Sequence, residues 1–140
     1  MKSPKIRLRV DFNAQCAIGP GKIQLLEAIE RTGSLSQAAR EMEMSYRRGW
    51  LLLDSMNNGF DQPVVSTQTG GKDGGGAELT AFGKQLVAAF HELEASTSAL
   101  AARHMGALAK HVVEPRKAQS KTNPAVKRRT LVRAKRAASN

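Results

Sequence analysis

Apolar positions change rhythm along this chain, and each change marks an element. Ile6, Leu8, Val10 and Phe12 alternate with Arg7, Arg9 and Asp11, the period of two that predicts a half-buried strand. After Pro20, a favourable first helical residue, Ile23, Leu25, Leu26 and Ile29 fall at helical spacing, and Gly33 reads as the C-terminal stop. Ser34 followed by Gln37 has the spacing of a capping box and predicts a second helix. Its inner face carries Ala38, Ala39 and Met42, and small residues let another helix approach closely. Ser45 predicts the cap of a third helix, with Tyr46, Gly49, Trp50, Leu53 and Met56 on one face and Arg47, Arg48 and Asp54 elsewhere. Trp50 is expected in the core rather than as a base-stacking residue. Asn57, Asn58 and Gly59 close the helix.

The rhythm then returns to strands. Val64 to Thr69 is rich in β-branched residues, and Ala77 to Leu79 can pair back with it. Gly70, Gly71, Gly74, Gly75 and Gly76 between them make a flexible turn, so the segment reads as a hairpin. Thr80 is expected to cap a long helix running to about residue 110. Phe82 and Leu86 stand four residues apart, and from Leu86 on, Phe90, Leu93, Thr97, Leu100 and His104 step by four and three residues in turn, which approximates a heptad seam that Thr97 and His104 weaken. A single domain does not need so long a seam unless a second chain covers it, so the helix is read as a dimer helix. The alternative is an amphipathic helix folded onto its own core.

Charge divides the chain. Residues 1–109 carry 12 Lys and Arg against 11 Asp and Glu, whereas residues 110–140 carry 10 against Glu114 alone. From Arg116 onward there is little apolar content to offset ordering entropy, which predicts a basic tail disordered on its own. Val126 to Ala138 could become helical on DNA. Such a polycation binds nucleic acid or an anionic surface without reading sequence. The expected organisation is one domain over 1–109, with a dimerisation helix over about 80–109, followed by the tail over 110–140. The single cysteine, Cys16, suits a reducing compartment. The N-terminal charges precede no apolar run, and nothing reaches the roughly 20 apolar residues of a membrane helix. A cytoplasmic, nucleoid-associated protein is expected.

Candidate chemistry lies between Gly33 and Met56. Two short helices around a tight turn, the second opening on Ser45, Tyr46, Arg47 and Arg48, are how a helix-turn-helix presents itself, and a hairpin directly after it is a wing. The fold class expected is mainly α with a small β wing. Arg47 and Arg48 are placed for guanine O6 and N7 or for phosphate; otherwise they form a solvated face. Ser45 and Gln37 can bond phosphate or merely cap helices. Lys72 in the hairpin tip is available to a phosphate. The glycine loop lacks the G-x-x-x-x-G-K-[ST] pattern, and Gly21-Lys22 is followed by Ile23, so neither is a P-loop. His91, His104 and His111 have no partner at metal-ligand spacing, and no nucleophile, base and orienter can be grouped. No catalytic residue, metal or cofactor is expected, and the chain is not read as an enzyme.

Two segments carry a resemblance. GSLSQAAREMEMSYRRGWLLLDSMN (Gly33 to Asn57) and TGGKDGGGAELTAFGKQL (Thr69 to Leu86) match the pattern of the DNA-binding domain of the molybdate-responsive ModE regulators, relatives of the LysR-type winged helix. The resemblance runs from about Ile6 to Leu108. It implies a homodimer held by the long helix and the N-terminal strand. It also implies DNA contacts from Ser36 and Gln37, from Ser45, Tyr46, Arg47 and Arg48, and from Thr69 to Gly75 in the wing, including Thr69 and Lys72. Members of that family carry C-terminal oxyanion-binding domains where this sequence has its basic tail, so molybdate or tungstate sensing is expected to be absent. The reading is a dimeric sequence-specific transcription regulator. The alternatives are an architectural DNA-binding protein with little sequence preference, and an oxyanion-responsive sensor.

Overall fold

The computed structural model describes residues 4–68 and 76–115. The described residues are mainly helical, with two small antiparallel sheets. In chain order they form β1 (Val10–Asp11), β2 (Ala17–Ile18), α1 (Pro20–Thr32), α2 (Leu35–Glu41), α3 (Tyr46–Gly59), β3 (Val65–Thr67), β4 (Ala77–Leu79) and α4 (Ala81–Met105). A 3-10 segment, Gly106–His111, follows α4. No described helix is long and apolar enough to cross a membrane.

The helix boundaries are set by local chemistry. Pro20 opens α1 at its first turn, and Gly33 closes it in the left-handed region at φ 72°, its N–H bonded to the Ile29 carbonyl at 2.7 Å. A residue without a β-carbon takes that conformation at no steric cost. Ser34, Ser45 and Thr80 each accept a hydrogen bond from a first-turn amide, those of Gln37, Arg48 and Gly83, at 3.2, 3.1 and 3.0 Å. Each such cap is worth about 1 kcal/mol, because a helix leaves its first amides without partners.

The core sits where α1 meets everything else. Ile23, Leu25, Leu26, Ala28 and Ile29 of α1 are buried against Leu35 and Ala38 of α2, Leu53 and Met56 of α3, Val64, Val65, Ala77 and Leu79 of the hairpin, and Phe90 of α4. Three phenylalanines form an edge-to-face chain beside it: Phe12 to Phe60 at 5.6 Å between centroids, and Phe60 to Phe82 at 5.3 Å. Such pairs add about 0.5–1.5 kcal/mol each beyond the area they bury.

The N-terminal strand is shorter than the alternation over Ile6 to Phe12 predicts. Only Val10–Asp11 is paired, with Ala17–Ile18, and Ile6 and Phe12 are exposed. The Asn13 side chain accepts hydrogen bonds from the amides of Gln15 and Cys16, at 2.9 and 2.7 Å, and turns the chain back at once.

The long helix has two environments. Phe90 is buried and Phe82, Leu86 and Val87 pack against the core, whereas Leu93, Leu100 and Met105 are exposed. The Thr97 hydroxyl donates to the Leu93 carbonyl at 2.7 Å, so this polar residue in the seam satisfies itself. The predicted seam thus folds back on its own core in its first half only. The basic tail from Arg116 and the hairpin tip, residues 69–75, lie outside the described residues.

Candidate nucleic-acid interface

The site is built on the contact of α2 with α3. Ala38 and Ala39 are fully buried, as their size predicts, and Gly49 of α3 is packed so tightly that a β-carbon there would stand 3.1 Å from Ala39 Cβ and 3.5 Å from Leu35 Cδ1. Close approach of the two backbones fixes the angle at which α3 leaves the body.

The turn between them is a Schellman arrangement. The Met44 amide bonds the Ala39 carbonyl at 3.0 Å, and the Glu43 amide bonds the Arg40 carbonyl at 3.1 Å. Glu43 holds the left-handed position at φ 56°, where glycine is usual. A β-carbon there costs about 1–2 kcal/mol. Glycine at Glu43 relieves that strain but adds freedom to the unfolded chain. The expected net effect is a stabilisation of about 0.5–1 kcal/mol, read as a thermal midpoint raised by a few degrees. Glu41, its neighbour, is engaged differently. Its carboxylate accepts from Arg31 at 2.6 Å, tying α2 to the end of α1. That hydrogen bond, and then the charge of Glu41, hold the Arg31 guanidinium above its ordinary pKa.

Most of the sequence-predicted residues are exposed at helix starts. Ser45 caps α3, and Tyr46, Arg47 and Arg48 fill its first turn. Ser36 and Gln37 lie in the first turn of α2. No ion pair among the described residues involves Arg47 or Arg48, and the first turn of α3 holds no acid. This end of α3 therefore combines two guanidinium groups with the positive end of the helix dipole, a setting that attracts phosphate. Thr69 and Lys72 lie outside the described residues.

One residue departs from expectation. Trp50, expected in the core, is 47% exposed. Gly49 and Ala39 already fill the contact between α2 and α3, and Leu53 and Met56 supply the rest of the inward face. Leu51, which the sequence did not single out, is 51% exposed on the same helix.

Asn57 is a positioning residue that sequence reading missed. Its side-chain carbonyl accepts from the Val64 and Val65 amides at 2.8 and 3.2 Å, and its amide donates to the Val65 carbonyl at 3.2 Å. It therefore joins α3 to the first hairpin strand. The second strand is held by the Ala77 amide, which bonds the Gly33 carbonyl at 2.9 Å. Two further side chains brace the helices. Lys22 of α1 reaches the Ala17 carbonyl at 2.8 Å and Ser55 of α3 at 3.3 Å. His91 of α4 stands between Glu27 of α1 and Glu94, at 3.4 and 3.0 Å, more than the surface pair with Glu94 that spacing suggests.

A cleft of about 400 Å³ opens beside the hairpin, lined among others by Glu30, Gln68, Glu78 and Lys84. Among the described residues of its lining, two carboxylates stand against one ammonium.

No family model matches the chain. Individual relatives do. The chain is 41% identical over 88 residues to a "Molybdenum transport protein ModE" of Azotobacter vinelandii, covering 63% of this chain and 33% of that protein. It is 47% identical over 83 residues to a "Molybdenum-pterin-binding protein MopB" of Rhodobacter capsulatus, covering 59% and 31%. It is 36% identical over 83 residues to the "DNA-binding transcriptional dual regulator ModE" of Escherichia coli K12, covering 59% and 32%. The chain spans about a third of the length of each. Over those stretches the chain is similar to proteins named ModE and Mop.

Proposed function

We propose that the chain is a sequence-specific DNA-binding transcription regulator of the winged helix-turn-helix kind, acting as a homodimer. The observation that carries the proposal is the first turn of α3. It is capped by Ser45, fixed at its angle by the Gly49–Ala39 contact, and presents Arg47 and Arg48 to solvent. The relatives named as transcriptional regulators support the same reading.

In this reading α3 enters the major groove, where Arg47 and Arg48 donate to guanine edges or phosphates. Ser36 and Gln37 of α2 approach the backbone. The hairpin, with Thr69 and Lys72 at its tip, and the basic tail add phosphate contacts that carry no sequence information. The outer half of α4 meets the same helix of a second copy through Leu93 and Leu100. Two copies of α3 then reach half-sites about 34 Å apart. In this reading DNA binding does not require molybdate.

The test is selection from a random duplex pool with the full chain at near-physiological salt, with and without molybdate. A two-fold-related motif, half-sites one helical turn apart and the same in both conditions, is the expected result. Binding without enrichment would establish the architectural alternative instead, and a motif that appears only with molybdate would establish the sensor.

A further inference from the structure

The outward face of α3 carries more than arginine. An α-helix turns 100° per residue, so with Gly49, Leu53 and Met56 buried, Arg47 and Leu51 point away from the body, and Trp50 and Asp54 lie on the adjoining flank. Leu51 is 51% exposed and Trp50 47%. Large apolar side chains seldom gather on an exposed helix face unless something covers them. The neighbours of this patch say what kind of surface does so. Arg47 and Arg48 favour an anionic partner, which argues against an apolar protein groove. Asp54, on the same flank, repels phosphate and favours a place over base edges rather than along the backbone.

We infer that Leu51 and Trp50 read thymine in the major groove by covering its 5-methyl group, while the arginines beside them hold the phosphates or guanines. The major groove is where that methyl distinguishes thymine from every other base. The contact needs no hydrogen bond from the protein, only apolar surface at the correct depth. This inference rests on the DNA-binding reading above and adds a specificity to it.

The test uses the motif recovered from the random pool, synthesised once with thymidine and once with deoxyuridine at every thymine of a half-site. Uracil keeps the pairing edge and loses only the methyl group. The full chain should bind the uracil duplex roughly fourfold more weakly for each methyl covered. Leu51→Ala and Trp50→Ala should each shrink that ratio toward one. Because each variant is compared with itself on two duplexes, any loss of folded fraction cancels. Equal binding of both duplexes by the unaltered chain overturns the methyl contact and leaves the regulator reading standing. Undiminished discrimination in both variants overturns the assignment to these residues. A pool that yields no motif overturns the regulator reading, and this inference with it.

Discussion

Gly83→Ala is expected to destabilise the fold by about 3 kcal/mol or more, although helix propensity alone favours alanine. Gly83 lies in the first turn of α4, where its amide donates to Thr80 Oγ1. The Thr80 amide donates in turn to the Val64 carbonyl at 3.0 Å, and the Thr80 hydroxyl to the Pro63 carbonyl at 2.6 Å. The start of α4 is therefore pinned to the backbone that leads into β3. A β-carbon on Gly83 would overlap the Val64 carbonyl oxygen, with the Val64 carbonyl carbon and Cα close behind. These are backbone atoms and cannot rotate aside. Relief requires lifting α4 off Val64, which is fully buried. Set against a total stability of about 5–15 kcal/mol, the loss should lower the thermal midpoint by more than about 10 °C. Gly21→Ala is the control, since a β-carbon there meets nothing within 4 Å. Similar midpoints for the two variants would show that the close approach of α4 to Val64 is not what the fold depends on.

The double substitution Arg47→Ala, Arg48→Ala is expected to weaken binding to the selected motif by about a hundredfold or more, at roughly 1–3 kcal/mol for each specific contact. Both side chains are exposed, so thermal stability should change little. How the loss is distributed identifies the contacts. Arginines on base edges lose affinity for the motif and little for random DNA. Arginines on phosphates lose both, and each flattens the salt dependence by about 0.9 in the logarithmic slope. Retention of full affinity for the motif would remove the first turn of α3 from the interface.

Legibility in the sequence followed the range of the interaction. Pro20 and Gly33 mark the ends of α1, and Ser34, Ser45 and Thr80 cap the next helices, because capping and left-handed stops act over three or four residues. The β3–β4 hairpin was legible because β-branched residues flank a glycine run. Ile6 to Phe12 misled because the alternation stays intact while Asn13 turns the chain after two paired residues. Trp50 misled because aromatic size suggests burial, yet the space between α2 and α3 had already been taken by Ala39 and Gly49, residues ten apart in sequence. Asn57 was hidden for a related reason. Its partners, Val64 and Val65, lie seven and eight residues away, beyond any helix or turn rule. Of the candidate site, the first turns of α2 and α3 were readable from residue type and order. The outward apolar face with Leu51 was not, since exposure depends on what the fold leaves uncovered.

The anchoring of the hairpin root has a consequence for the DNA partner. Asn57 ties β3 to α3, and the Gly33 carbonyl ties β4 to the junction of α1 and α2. Neither strand can slide without breaking a bond to a helix. On the proposed reading, the span between the helix in the major groove and the hairpin root is therefore a fixed gauge. The duplex must supply the groove width that matches it, and sequences that reach this width with little deformation bind better even at positions no side chain touches.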